Sequence, residues 1–86
     1  MSEIAIGRVT HYYGRIGVAV LALTEPIHLG DTVRIVGRGT DFQQEVTSLQ
    51  IVHAAVASAR PGQEVAMKVE EPVRKRDAVF KVAVED

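Results

Sequence analysis

The chain has 86 residues, 47% hydrophobic and 24% charged, with a formal net charge of −1. That length makes one domain, residues 1–86, and the apolar share suits a packed core rather than disorder. The absence of cysteine excludes disulfides and thiolate metal sites, and the near-neutral charge supplies no general pull towards nucleic acid.

Residues 4–12 alternate well enough for a first strand, with Ile4, Ile6 and Tyr12 sharing one face. Gly7 inside it predicts a bulge or a close backbone contact. Residues 13–17 read as a turn. The continuously apolar Val18 to Leu23 reads as a strand covered on both faces. A connector with Pro26 and Gly30 follows, and Thr32 to Val36 then alternates with Val33 and Ile35 inward. Gly37 to Asp41 is a turn. Phe42 to Val52 is one long strand, or two joined by a kink, with a bulge near Thr47-Ser48 to restore phase.

Residues 53–60, rich in alanine and closed by Pro61-Gly62, form the one helical candidate: a short turn plugging the end of a barrel. Glu64 to Val69 alternates with Val65, Met67 and Val69 inward. Residues 70–77 are a polar connector. Ala78 to Val84 is the last strand, with Phe80, Val82 and Val84 on one face and Lys81 on the other. The spacing predicts an all-β fold: a small closed, Greek-key-like barrel of six or seven strands with one short helical turn. Closure is favoured because it leaves no unpaired edge.

The sequence carries few residues for catalysis. His11, His28 and His53 sit on separate segments without metal-ligand spacing. No serine lies in a nucleophile elbow, and Glu70-Glu71 reads as a solvated pair. No catalytic residue, cofactor or metal is expected. Two segments suit recognition instead. His11, Tyr13 and Arg15, around Gly14, could stack a base and meet a phosphate. Arg38, Thr40, Asp41, Phe42 and Gln43 read as a loop tip of mixed recognition chemistry. Arg74-Lys75-Arg76, flanked by Glu70, Glu71 and Asp77, reads as a solvated loop.

The motifs Gly7-Arg8-Val9, Ile27-His28-Leu29-Gly30-Asp31-Thr32-Val33-Arg34-Ile35, Val46 to Ile51, Ala59-Arg60-Pro61-Gly62-Gln63-Glu64-Val65-Ala66 and Val79 to Val82 run in order over nearly the whole chain. In that order the sequence resembles the second, β-barrel domain of translational GTPases such as elongation factor Tu. More narrowly, it resembles small stand-alone elongation-factor-like proteins, on Thr40 to Gln44, Gln50-Ile51 and His53. Arg76-Asp77 stands where that family usually has Gly-Asp or Gly-Gln, and no G-x-x-x-x-G-K-[ST] occurs, so no nucleoside triphosphate is expected. The resemblance implies a non-catalytic, translation-related module engaging tRNA, rRNA or a ribosome-associated partner. The alternative is a protein-interaction module serving a larger enzyme, such as a peptidase-like protein, in trans. Without cysteine, a leader-like start or an apolar run long enough to cross a bilayer, the chain is expected in the cytoplasm and away from membranes.

Overall fold

A computed structural model describes residues 2–83; Val84, expected on the last strand, lies outside the described residues. Six strands of five residues or more carry the structure: β1 (Ser2–Tyr13), β2 (Val18–Leu23), β4 (Thr32–Gly37), β5 (Thr40–Glu45), β9 (Glu64–Lys68) and β10 (Ala78–Ala83). Four two-residue strands fill the gaps: β3 (Ile27–His28), β6 (Gln50–Ile51), β7 (Ala54–Ala55) and β8 (Ser58–Ala59). The main sheet is antiparallel in the order β5-β4-β10-β1-β2-β9-β6-β7, and β3 pairs with β8 in a small second sheet.

Where alternation is unbroken, the inward residues are those read from the sequence. Val33, Ile35, Val65 and Met67 are fully buried, and Val69 nearly so. They join Ile6, Val9, Leu21, Ile27, Val46, Leu49, Val73 and Val79 in one core cluster.

Strand β1 keeps its phase only through two bulges. Its pairing with β10 shifts between Ala5 and Gly7, and its pairing with β2 shifts between Val9 and His11. A one-residue slip turns every following side chain over. The second bulge therefore sends Tyr12 towards the core and His11 and Tyr13 outward, opposite Val20 and Val18. Gly7 is the close approach expected of it, since a Cβ there would collide with the Ala22 carbonyl.

Several expectations are corrected. The sheet is not closed into a barrel: β5 and β7 are its two ends. After Glu45 the chain leaves the ladder, and Val46 exchanges backbone bonds with Gly30 and Asp31 (2.9 and 2.8 Å) instead. The phase change foreseen near Thr47-Ser48 is thus an interruption over residues 46–49, not a bulge. The open seam is spanned by a side chain. Buried Gln44 donates its amide to the Lys68 carbonyl and accepts from the Glu70 N–H, both at 2.8 Å, as a paired strand would.

No helix forms at 53–60. Val52 and His53 both adopt positive φ (48° and 66°), so the chain reverses as a hairpin and runs into β7 and β8. In β10, Val79 rather than Phe80 enters the core; Phe80 is half-buried, and Val82 is buried outside the core cluster. The connector after β9 ends with Arg76 at φ 80°, the left-handed position where Gly would fit without strain. That turn is held by bonds from Arg76 N–H to the Val9 carbonyl (2.7 Å) and from Arg74 N–H to the Asp77 carboxylate (2.9 Å).

Candidate functional site: an apolar groove beside a strained hairpin

The outer face of β2, expected to be covered like the inner one, is only partly covered by the described residues. Val18, Val20 and Ala22 are only half-buried, while Ala19, Leu21 and Leu23 point into the core. Neighbouring β9 adds Ala66 to the same face, paired with Val20 and with Gln50 of β6. The turn after β1 adds Ile16, 65% exposed, and the end of β1 adds Tyr13, 49% exposed. Tyr13, Ile16, Val18, Val20 and Ala66 line a groove of about 530 Å³, bordered by Gln50, Val52, His53 and Glu64. Glu64 is held in place by the Thr10 hydroxyl, which donates to its carboxylate at 3.0 Å.

Val52 is the conspicuous member. It is 89% exposed at the tip of the β6–β7 hairpin and has φ 48°. A β-branched residue is a conformational outlier in that region, and a two-residue hairpin with positive φ at both central positions favours Asn-Gly. Here the pair is Val-His, so the turn holds an apolar side chain in water at a backbone cost. Strain of this kind clusters at sites of recognition.

The sequence-derived candidates divide between two places. His11 and Tyr13 share the outward face of β1, with ring centroids 4.4 Å apart and tilted by 45°. Tyr13 lines the groove, while Arg15 is exposed in the adjoining turn. The second group is not a loop tip. Only Arg38 and Gly39 form the turn, and residues 40–43 belong to β5. Strand alternation splits them: Thr40 and Phe42 are buried, while Asp41 and Gln43 are exposed. Asp41 is already engaged by Arg34, whose Nε and second terminal nitrogen donate to its two oxygens at 2.8 and 2.9 Å. The hydrogen bonds from Arg34 hold the Asp41 carboxyl below its ordinary value, against the opposing effect of desolvation and with a smaller further push from the guanidinium charge. Arg34 also reaches Glu3 at 3.2 Å. A separate, more polar cleft of about 320 Å³ lies between residues 39–42 and 71–74.

Sequence reasoning found Tyr13 but missed Ile16, Val18, Val20 and Val52. The signal available was the apolar run from Ile16 to Leu23, which has more apolar residues than one buried face can use. Among the described residues, no three His, Asp or Glu side chains converge as metal ligands, and no helix is long and apolar enough to cross a membrane.

No family model matches the chain. Over 79 residues it is 38% identical to an uncharacterized protease of Methanocaldococcus jannaschii. The match takes in 91% of this chain and 19% of that protein, so the chain spans about a fifth of its relative's length. Among solved structures, the C-terminal domain of a putative U32 peptidase from Geobacillus thermoleovorans superposes with a TM-score of 0.86 and 26% identity, covering 94% of this chain and 93% of that one. A selenomethionine variant of the same domain gives a TM-score of 0.83 at 24% identity, over 87% and 95% of the two chains.

These similarities overturn the resemblance to translational GTPases and the translation reading that rested on it, and they lend no support to an RNA or ribosome-associated partner. The Gly-Asp and Pro-Gly segments that carried that resemblance are turns preceding strands, which small β-folds need whatever they bind. In sequence and in fold, the chain is similar to the C-terminal domain of a putative U32 peptidase and to one segment of a much longer uncharacterized protease.

Proposed function

We propose that this domain is a non-catalytic protein-interaction module serving a peptidase-like protein, and that it docks through the groove formed by β1, β2, β9 and the β6–β7 hairpin. The observation that carries this reading is the superposition, over nearly the whole of both chains, on a domain that sits at the C-terminus of a putative peptidase. The groove supplies the chemistry. It is concave and largely apolar, with an aromatic anchor in Tyr13 and a polar border, which is the anatomy of a protein interface core. Its occupant is the body of the larger protein, because four-fifths of the length of the related protease lies outside the matched segment.

The test is calorimetric titration of the purified chain, treated with nuclease, against the nuclease-treated peptidase-like protein of its own organism. A saturable one-to-one complex with Kd of roughly 10 µM or tighter is expected. Ile16→Glu places a charge in the groove without touching the core and weakens the complex by roughly a hundredfold, the scale of a buried unpaired charge. Absence of a complex, or equal binding by Ile16→Glu, contradicts the proposal.

A further inference from the structure

A second surface differs from the groove in kind. Strand β5 ends the main sheet, so among the described residues one of its two edges has no strand beside it. Its hairpin with β4 turns on two residues, which makes Gly37 and Thr40 the first hydrogen-bonded pair. By antiparallel alternation, Phe42 and Gln44 also direct their peptide groups to β4. Those of Asp41 and Gln43 face the other way. Neither residue has a backbone partner on that side among the described residues.

The edge opens onto the cleft walled on its far side by residues 71–74. Gln44 bridges the seam at one end. Towards Gly39 and Arg74 no hydrogen bond or ion pair among the described residues crosses it. We propose that this edge takes an extended polypeptide strand with basic side chains on its outer face, which pairs with Asp41 and Gln43 and extends the sheet.

The charge follows from the side chains on that face. Asp41, Gln43 and Glu45 project outward at every second position. Cross-strand neighbours on one face lie within about 5.5 Å, so opposite charges stabilise the pairing and like charges oppose it. Arg34 covers Asp41 from the β4 side, and Glu45 makes no ion pair among the described residues. A second copy of the chain is the wrong occupant. In antiparallel self-pairing about Gln43, Asp41 would lie opposite the other copy's Glu45, acid against acid. Strand addition of this type draws affinity from main-chain bonds and specificity from alternate side chains. The inference does not rest on the peptidase reading.

The experiment titrates the ¹⁵N-labelled chain with a blocked synthetic peptide, Lys-Val-Thr-Val-Lys, and with the same peptide carrying Glu for each Lys. The basic peptide is expected to shift the Asp41 and Gln43 amides most and to slow their exchange, with the acidic peptide roughly tenfold weaker. Gln43→Pro removes an N–H that does not face β4, so it should abolish binding and leave the melting temperature unchanged. The double change Asp41→Lys with Glu45→Lys, a second test independent of proline, should reverse the preference between the peptides. Perturbation centred elsewhere, equal binding of both peptides, undiminished binding by Gln43→Pro, or an unreversed preference overturns the proposal.

Discussion

Replacing Val52 by Asn tests the groove's construction and its purpose with a single change. In the isolated domain, the valine occupies a left-handed conformation at φ 48° that costs a branched side chain about 1–2 kcal/mol. Being 89% exposed, it returns almost nothing in burial. Asn suits this turn and offers its own local hydrogen bond. The variant should therefore be more stable than the natural chain by about 1 kcal/mol, a rise in melting temperature of roughly 4–8 °C for a domain of this size. In the complex the balance reverses. Burying a valine side chain contributes about 1.5 kcal/mol, so its loss weakens docking by roughly tenfold. Scanning calorimetry reads the first effect and titration against the peptidase-like protein reads the second. A lower melting temperature refutes the strain argument, and unchanged affinity refutes the assignment of Val52 to the docking face.

Gln44→Leu keeps the side-chain volume but leaves the Lys68 carbonyl and the Glu70 N–H without their partner across the seam. Denaturant unfolding should show a loss of about 2 kcal/mol; a neutral result would show that the seam needs no bridge. Arg76→Gly relieves a side chain held at φ 80° while keeping the backbone bond to Val9, and should raise stability by up to about 1 kcal/mol in thermal melts; a decrease would contradict the strain assigned there. The folded-state pKa of Asp41 lies below its unfolded value because of Arg34. Its contribution is therefore complete above the unfolded value, about pH 4, and is lost as pH falls through the lower folded value. Melting temperatures from pH 6 to pH 2 should fall more steeply for the natural chain than for Asp41→Asn, and parallel curves would remove the ion pair from the account.

Strands whose apolar residues alternate without interruption were legible in the sequence. Val33 and Ile35 in β4, and Val65 and Met67 in β9, are inward as the pattern requires. Strand β1 was harder, because two bulges change its parity; Ile6 and Tyr12 both face inward, yet Val9 lies inward between them. The alanines after His53 suggest a helix. Local propensity yields there to the reversal at Val52-His53 and to the packing of Leu49, Ile51 and Val56 against the core. Gly37-Arg38-Gly39 suggests a long turn, so residues 40–43 read as a loop although the true turn has two residues. The groove was mostly hidden. It joins β1, β2, β6 and β9, which are distant in sequence, and its apolar residues look the same in one dimension as those of the core.

The central claim is that the apolar face of β2 and β9 is covered by a peptidase-like protein. Methyl-resolved NMR during titration with that protein tests it most directly. The claim requires saturable, one-to-one shifts or broadening at the methyl groups of Ile16, Val18, Val20 and Val52, while Val33 and Ile35 in the core stay unmoved. A complex that leaves those four methyls unperturbed, or no complex at all, contradicts it.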